Sequence, residues 1–309
     1  MKAFLHPSVP LDDYVRDTFD LPPSLSASVS HRLLTTSPYH AHHFHPRLNP
    51  AWVNEATAAS ERGTIAHALL LEGKRDRVVI VNAETWAKKD ATDRVAWKAR
   101  DEIRAAGNLP VLAGDMPDIE AMVTAARTAL DLSELAGLMD DGGPFGHGQP
   151  EGTLVWQESG AWCRSRPDWI SGDRRILLDY KTVGRTAEPD GWARGPLLSA
   201  GHDLQAAFGI AGLRALGVHR DPTFVFMVQE VDPPYACSFV SPAPAYLAWA
   251  EAKRQHALTV WADCLARDDW PSYPRRIVYA EPPQWAVGQW NERQTLAGLN
   301  EAEEGIEAL

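Results

Sequence analysis

The chain has 309 residues, of which 45% are hydrophobic and 23% are charged, and its formal net charge is −11. This composition is that of an ordinary globular protein of one or two domains, and it excludes a wholly disordered or fibrous chain. No apolar run approaches the ~18 residues that a membrane span needs, and the N-terminus lacks the apolar stretch of a signal peptide. We therefore expect a soluble, cytoplasmic protein that does not associate with membranes.

Charge and cysteine content narrow the classes of function. The acidic balance argues against a protein that coats nucleic acid without specificity, but it leaves room for a local basic groove. The cysteines Cys163, Cys237 and Cys264 lie far apart and form no CxxC pair. This spacing argues against a disulfide framework and against a zinc or iron–sulfur site with cysteine ligands.

The first half of the chain is predicted to be mainly helical. Residues 1–25 are rich in proline and are expected to be irregular. A short strand is predicted over 78–81, and helical patterns cover 26–37, 49–71 with a break at Gly63, 93–106 and 117–139. A Gly/Pro loop over 140–150 then separates this half from a different second half.

The second half has the pattern of a mixed sheet with covering helices. Strands are predicted over 153–157, 162–166, 176–182, 223–231 and 236–240. Helices are predicted over 202–216 and 243–266. Strands that meet first as hairpins and later through a helix predict an α/β sandwich built on a mixed sheet. The acidic tail after Trp290 is expected to be frayed or to serve as an interaction tail.

The most informative stretch surrounds a predicted hairpin. The turn signal Ser171-Gly172-Asp173 lies between two strand-like runs. A hairpin centred just after this signal places Asp168 opposite Asp179. Alternate residues of a strand share a face, so Lys181 points the same way as Asp179. The sequence therefore predicts two acids and one lysine on one small patch.

Such a patch is suited to a divalent cation. Two carboxylates that are buried together raise one another's pKa, and Mg²⁺ or Mn²⁺, which prefer hard oxygen ligands, relieve that repulsion. A lysine beside the metal can orient a water molecule, or help to deprotonate it, for attack on phosphorus. Taken alone, Asp179-Tyr180-Lys181 is more typical of a solvated strand with an ordinary ion pair. The surrounding sequence must therefore decide between the two interpretations.

That surrounding sequence contains further motifs. Pro167-Asp168, then ten residues, then Asp179-x-Lys181 matches the PD-(D/E)xK nuclease signature. Glu151 follows the Gly/Pro loop, His67 lies on an otherwise apolar helix, and Gln205 lies at the start of the helix after the hairpin. Taken alone, His67 is also typical of a core histidine, Gln205 of a helix surface and Glu151 of a solvated loop.

The chain contains five motifs, which in chain order are His67, Glu151, Pro167-Asp168, Asp179-x-Lys181 and Gln205. In these motifs and in their order, the chain resembles the RecE-like exodeoxyribonucleases of exonuclease VIII type. This family belongs to the PD-(D/E)xK superfamily, together with the RecB nuclease domain and lambda exonuclease. The resemblance implies an α/β PD-(D/E)xK nuclease fold, with a central mixed β-sheet flanked by helices and a helical N-terminal elaboration. The expected organisation is an irregular segment 1–25, a single nuclease domain 26–270 and a C-terminal extension 271–309 with an acidic tail. Within the domain, the helical first half is expected over 26–140, the catalytic sheet core over 150–241 and a long helix over 243–266.

The resemblance also implies a role for each residue of the hairpin patch. Asp168 resembles the acid that bridges two metal ions. Asp179 resembles the second ligand of the ion on the nucleophile side, and the carbonyl group of Tyr180 would coordinate the same ion. Lys181 resembles the lysine that positions the attacking water.

Three further residues match family positions outside the patch. Glu151 matches an outlying acid that helps to bind the second cation, with Glu158 as the competing candidate. His67 matches a histidine supplied by an upstream helix, and Gln205 matches a glutamine that holds the lysine and the site geometry. Family members often carry a tyrosine shortly after this glutamine, whereas this chain has Phe208-Gly209. No hydroxyl role is therefore assigned there.

Two basic clusters accompany these motifs. Arginines concentrated around the hairpin in an otherwise acidic chain suit phosphate contacts, although they would also offset neighbouring acids. The arginines assigned to DNA are Arg164, Arg166, Arg174 and Arg185. A histidine cluster fits no tetrahedral zinc spacing, and we expect it to lie near the DNA path. Its members are His40, His42, His43 and His45.

By resemblance, the sequence predicts a metal-dependent exodeoxyribonuclease that hydrolyses linear double-stranded DNA from an end for recombination. The implied polarity is 5′→3′, leaving a 3′ single strand, and the implied cofactor is two Mg²⁺ ions per site, with Mn²⁺ as the other option. Expected partners are double-stranded DNA ends, further copies of the chain in a trimeric or tetrameric ring, and a single-strand annealing protein. The alternatives are a structure-specific or restriction-type endonuclease of the same fold, and a non-catalytic DNA-end-binding recombination scaffold.

Overall fold

The computed structural model describes residues 2–53, 61–86, 91–136, 148–217 and 221–307. The chain forms two compact units, Met1–Ser272 and Tyr273–Leu309. The strands of the first unit are β1 (Ala3–His6), β2 (Ser24–Leu25), β3 (Val78–Val81), β4 (Leu109–Leu112), β5 (Gln149–Pro150), β6 (Thr153–Glu158), β7 (Ala161–Ser165), β8 (Trp169–Ile170), β9 (Ile176–Val183), β10 (Thr223–Glu230) and β11 (Cys237–Val240). Its helices are α1 (Leu11–Arg16), α2 (Ala27–Thr35), α3 (Pro38–Phe44), α4 (Glu61–Leu71), α5 (Ala91–Ala105), α6 (Met116–Asp131), α7 (Pro189–Arg194), α8 (Pro196–Ser199), α9 (His202–Ala215) and α10 (Pro244–Arg267).

A five-stranded mixed sheet carries the predicted hairpin, in the order β11-β10-β9-β8-β5. β9 and β10 are parallel, and the other neighbouring strands are antiparallel. Both faces of β9 are covered, since Leu177 packs into one hydrophobic core and Leu178 into another. A strand that is buried on both faces has a continuous apolar sequence, which explains the run Ile176-Leu177-Leu178.

A second sheet has four strands, in the order β1-β6-β7-β2. Its strands β6 and β7 directly precede β8 in the sequence. Pro167 lies between β7 and β8, and it has no amide hydrogen with which to continue a ladder. β1 pairs with β6 from Ala3 opposite Trp156 to His6 opposite Thr153, and β2 pairs with β7. The segment 1–25, predicted to be irregular, contains the short elements β1, α1 and β2 between irregular stretches. The strands β1 and β2 were not predicted because their partners lie more than a hundred residues away in the sequence.

Helices cover the sheets on both sides. The core beside α2, α9 and α10 contains the fully buried side chains of Trp156, Phe208 and Trp261. The second core, beside α4 and α6, contains Leu70 and Ile119, which are also fully buried. Each such side chain contributes about 1.5–3 kcal/mol relative to an exposed one.

The helix that carries His67 differs from the prediction. α4 continues through Gly63, where the sequence predicted a break. A side chain at Gly63 would overlap the hydroxyl group of Thr182 on β9, so glycine here permits close packing of helix on strand. After Asn49 the chain makes a turn, in which the amide of Trp52 donates to the Asn49 carbonyl, instead of the predicted helix. Residues 54–60 of that prediction lie outside the described residues.

Other elements differ mainly in their ends. α6 ends at Asp131, eight residues before the predicted end, and the unpredicted strand β4 pairs in parallel with β3. Of the predicted Gly/Pro loop, residues 140–147 lie outside the described residues, and the last two residues form β5. The other predicted strands and long helices are found within two residues of their predicted ends.

The second unit contains one long helix, α11 (Gln284–Glu307). The acidic tail after Trp290, predicted to fray or to serve as an interaction tail, is therefore helical up to Glu307. Over the part of the chain that the structure describes, no helix is both long enough and apolar enough to cross a membrane.

Candidate active site

Three acids lie side by side, one just after β5, one just before β8 and one in the middle of β9. Continuing the β8–β9 register by one residue past the pair Trp169–Leu178 aligns Asp168 with Asp179, as the hairpin predicted. The amide of Glu151 donates a 2.9 Å hydrogen bond to the carbonyl oxygen of Asp168, which places Glu151 on the other side of it. We call Glu151, Asp168 and Asp179 the acid row. Strand register alone brings its members together.

Lys181 and Gln205 contact the Asp179 end of the acid row. The Lys181 ammonium forms an ion pair with Oδ1 of Asp179, which shares its face of β9. The Gln205 side-chain amide, on the first turn of α9, donates to Oδ2 of Asp179. Oδ2 of Asp168 accepts a 2.7 Å hydrogen bond from the amide of Tyr180. Asp179 is fully buried, whereas a quarter of the Lys181 side chain is exposed.

α4 brings His67 to the other end of the acid row. Its Nε2 atom lies 3.3 Å from Oδ2 of Asp168 and 3.4 Å from Oε1 of Glu151. Oε1 of Glu72 lies 3.9 Å from Nδ1 of the same histidine. His67, Glu72 and Glu151 thus offer ligand atoms within 4.8 Å of one another. Sequence reasoning assigned no role to Glu72, although an acid five positions after the candidate histidine was a usable signal.

Burial and mutual repulsion set the charges of the site. Burial and the charge of Asp168 raise the pKa of Asp179 to about 7, and both also raise the pKa of Glu151. Burial lowers the pKa of His67, but Asp168 and the other carboxylates outweigh it and raise the pKa to about 9. Burial likewise opposes the charge of Lys181, whereas Asp179 and Asp168 raise its pKa. The site therefore crowds three carboxylates together, and the cations beside them are His67, Lys181 and Arg166.

The donor set fits a divalent cation. Carboxylate oxygens, which Mg²⁺ and Mn²⁺ prefer, converge with one imidazole nitrogen. Oδ1 of Asp179 is buried, and its partner is the Lys181 ammonium. A cation would stabilise the ionised carboxylates that now repel one another. The residues present are therefore suited to the predicted metal group.

Two of the arginines predicted to contact DNA have internal partners. Nη1 of Arg164 donates a 2.7 Å hydrogen bond to Oγ of Ser24 and lies 3.3 Å from Oδ1 of Asp17. Nε of Arg166 donates a 2.5 Å hydrogen bond to Oε2 of Glu151. The two side chains are only 4% and 9% exposed. These contacts give both arginines a structural role, and the phosphate contacts predicted for them stay predictions, because both also line a cleft of about 830 Å³ beside Lys181.

The other two arginines lie nearer the surface. Arg174 occupies the β8–β9 turn with a φ of 58°. At ~3.3 Å per residue, this turn is about 16 Å along the strand from Asp179. Arg185 is exposed in the segment after β9. Both stay candidates for phosphate contacts.

The histidine cluster is helix α3 and its C-cap, and it does not converge on one point. Nε2 of the buried His45 lies 3.1 Å from the Ser24 carbonyl oxygen. The ring of His42 packs against Trp270 at 4.9 Å. Across the described ranges, the group able to hold a metal ion is the one at His67.

Two remaining sequence candidates lie away from the acid row. Glu158, the competing candidate for Glu151, is at the far end of β6 and pairs with Arg254 at 2.8 Å. Phe208, where family members often have tyrosine nearby, is fully buried with its ring 6.0 Å from that of Trp156. Neither residue contributes to the acid row.

A cleft of about 830 Å³ opens beside Lys181 and Gln205. α2 contributes His31 and Arg32 to its wall, and the Arg32 guanidinium lies 5.1 Å from the centre of the Phe44 ring. A volume of this size is typical of sites for small ligands. The cleft gives the lysine side of the site access to solvent.

No protein family model matches this sequence, and no curated protein matches it either. The fold is α/β, with helices on both sides of a mixed sheet, as the sequence predicted. A solved structure with this fold is a crystal structure from Eubacterium rectale described as a "putative exonuclease". The two share 13% sequence identity with a TM-score of 0.54, over 91% of this chain and 98% of that one. At this identity the likeness establishes the shared fold.

Proposed function

We propose that this protein is a metal-dependent exodeoxyribonuclease that hydrolyses linear double-stranded DNA from an end. The observation that carries the proposal is the convergence of the acid row with Lys181 and His67. A cluster of carboxylates in which the charge of Asp168 raises the pKa of its neighbours, beside a lysine with access to solvent, is suited to metal-assisted hydrolysis of a phosphodiester. The order of the sequence motifs and the fold shared with the Eubacterium rectale protein support the same reaction class.

In this proposal the acid row and His67 hold the cations. Asp168, at the centre of the row, would contribute to both ions, with Asp179 and the Tyr180 carbonyl on one side and Glu151 and His67 on the other. A divalent ion bound there supplies Lewis acidity, which polarises a phosphoryl oxygen and lowers the pKa of a water molecule. Mg²⁺ is the proposed physiological ion, and Mn²⁺ is an alternative with similar ligand preferences.

Lys181 orients the attacking water. Although burial opposes its charge, Asp179 and Asp168 raise its pKa, so the ammonium stays protonated at neutral pH. A protonated lysine donates hydrogen bonds but does not accept a proton, which favours a role in positioning over one as general base. Gln205 fixes Oδ2 of Asp179 and thereby holds the partner of the lysine in place.

The resemblance to RecE-like enzymes supports the finer parts of the proposal. These are digestion with 5′→3′ polarity, a 3′ single-stranded product, assembly into a ring and cooperation with a single-strand annealing protein. Arg174 and Arg185 are the proposed phosphate contacts. Because such contacts carry no sequence information directly, little sequence preference is expected.

A cleavage assay with end-labelled DNA tests the proposal. Purified protein with Mg²⁺ is incubated with linear duplex labelled at either the 5′ or the 3′ end, and with closed circular DNA. We expect the linear duplex to be degraded, the circle to survive, and the activity to disappear with EDTA. Asp179→Asn should reduce the rate by about 10²-fold or more, the loss typical of removing one charge-stabilising group. The matched control is Asp131→Asn, at the exposed end of α6, which should retain the wild-type rate.

Each alternative predicts a different outcome. Cleavage of the closed circle would assign the protein to the endonucleases of this fold. DNA-end binding with no metal-dependent loss of DNA would favour the recombination scaffold. Equal activity of Asp179→Asn and wild type would contradict hydrolysis at the acid row.

A further inference from the structure

Glu151 turns its two carboxylate oxygens to different partners. Oε1 lies 3.4 Å from Nε2 of His67, inside the site. Oε2 accepts a 2.5 Å hydrogen bond from Nε of Arg166, on the other side. The backbone of Glu151 has a φ of 55°, a conformation that disfavours residues other than glycine and that persists where the surroundings hold it. One oxygen is thus occupied and the other is directed at the site.

The N-terminal segment also contacts the Arg166 guanidinium group. Nη1 of Arg166 donates a 2.5 Å hydrogen bond to the carbonyl oxygen of Val9. The guanidinium carbon lies 5.8 Å from the centre of the Tyr14 ring. Gln149, two residues before Glu151, donates a 2.8 Å hydrogen bond to the Pro7 carbonyl oxygen. Residues 7–14 therefore brace both the arginine and the strand that leads to the acid.

We propose that Arg166 is a positioning residue, which orients Oε1 of Glu151 toward the cation and is held in place by residues 7–14. The inference rests on the proposed function, since it assigns a support to one of the proposed metal ligands. Groups that hydrogen-bond a metal ligand fix its orientation, and their loss typically weakens metal binding 10–100-fold. An N-terminal segment that the sequence predicted to be irregular thereby becomes part of the metal site.

The competing role for Arg166 is the phosphate contact predicted from the sequence. The two roles give different signatures. A phosphate contact adds about 0.9 to the slope of log affinity for duplex DNA against log salt concentration. A positioning residue leaves that slope unchanged but lowers the affinity for the metal ion, even when DNA is absent.

Calorimetric titration with Mn²⁺ alone, without DNA, measures the predicted effect. The full chain is compared with Arg166→Gln, with Arg166→Lys and with the matched control Arg185→Gln, an exposed arginine proposed to contact phosphate. We expect Arg166→Gln to weaken Mn²⁺ binding 10–100-fold. Arg166→Lys keeps the charge but not the two-sided contact, and should give a smaller loss. Arg185→Gln should bind Mn²⁺ as the wild type does.

A salt titration of DNA binding in EDTA completes the test. Arg185→Gln should lower the slope by about 1, and Arg166→Gln should leave it unchanged. Melting temperatures measured without metal show whether each variant is folded. If Arg166→Gln does not fold, Arg166→Lys is compared with the wild type instead. Wild-type Mn²⁺ affinity in both Arg166 variants, or a reduced salt slope in them, would overturn the inference and leave the proposed function standing. If the wild type itself binds no Mn²⁺, the proposed function fails and the inference with it.

Discussion

The surroundings of two carboxylates, the partly buried Glu158 and the fully buried Asp179, shift their pKa values in opposite directions. Around Glu158, Arg254 donates hydrogen bonds of 2.8 and 2.9 Å, Gln255 donates one of 2.7 Å, and the Trp156 indole donates one of 3.1 Å. Burial raises the pKa of Glu158, but these donors outweigh it and lower the pKa to about 2. In the acid row, burial and the neighbouring carboxylate raise the pKa of Asp179 to about 7, despite the adjacent lysine.

The difference lies in the number of donors that face each carboxylate. Glu158 has its oxygens satisfied by groups of this chain, so its negative charge is stable in the folded protein. Asp179 faces a second anion, Asp168, whose charge raises its pKa even though Lys181 pairs with it. Both carboxylates are at least partly buried, and the balance of donors and neighbouring anions distinguishes a structural cluster from a candidate ligand site.

The largest effect is expected from breaking the structural cluster. Glu158→Gln leaves the buried guanidinium of Arg254 facing an amide in place of one of its carboxylates, and breaking a buried pair in this way costs about 3–5 kcal/mol. Urea denaturation at pH 7 measures the loss in free energy of unfolding. Because the pKa of Glu158 is lowered to about 2, its contribution is complete above about pH 5 and is lost as the pH falls toward 2. The difference between variant and wild type should therefore shrink over that range.

The exposed pair Arg75–Glu120, at 2.6 Å, provides the control for this prediction. Glu120→Gln should change the free energy of unfolding by at most about 1 kcal/mol, as is usual for surface pairs. Equal losses in free energy of unfolding for Glu120→Gln and Glu158→Gln would show that the many donors around Glu158 do not make it more important for stability than an exposed acid.

Replacing an acid by its amide in the acid row should change stability in the opposite direction. Asp179→Asn removes a charge that the folded protein disfavours, so the melting temperature without metal should rise, by about 2–4 °C for each kcal/mol recovered. Since the folded pKa of Asp179 is raised to about 7, the wild type loses stability as the pH rises from about 4 to 7. The advantage of the variant should grow over that window and level off above about pH 8, as thermal unfolding at several pH values would reveal.

Addition of Mg²⁺ sharpens this prediction. A cation that binds the folded state raises the melting temperature. We expect a rise for the wild type and a smaller one for Asp179→Asn. A variant that melts below the wild type at pH 8 without metal would contradict the proposed imbalance of charge.

A smaller effect is expected from moving the helix that carries His67. Gly63→Ala would place a methyl group against the Thr182 hydroxyl, so α4 must shift away from β9. Overpacking of this kind costs about 1–3 kcal/mol, and the shift should lower the proposed nuclease activity, because His67 lies one turn further along α4. Thr182→Ala removes the obstructing hydroxyl and should restore both properties in the double variant. A double variant no better than Gly63→Ala would contradict this explanation.

Local patterns predicted the hairpin well. The turn at Ser171-Gly172-Asp173 and the fixed period of a strand are enough to align Asp168 with Asp179, because both strands belong to one short segment. The same rule placed Lys181 on the face of Asp179. Burial of β9 on both faces was likewise readable from its apolar run.

Long-range contacts explain what the sequence did not predict. The sequence does not distinguish the four arginines Arg164, Arg166, Arg174 and Arg185. In the structure, the side chains of the first two are buried and have internal partners. Their partners are Asp17 and Val9, more than 140 residues away, and a local pattern contains no information about such contacts. For the same reason, the strand at Ala3–His6 was not predicted.

The sequence by itself determined the identity and order of the chemical groups and the register of one hairpin, because these depend on neighbours along the chain. Tertiary structure decided which of those groups face one another. It brought His67 on α4 and Glu151, just after β5, to the same point, and it made Arg166 a partner of Glu151. Proximity in the folded chain, and the burial that comes with it, set the charges on which the proposed chemistry depends.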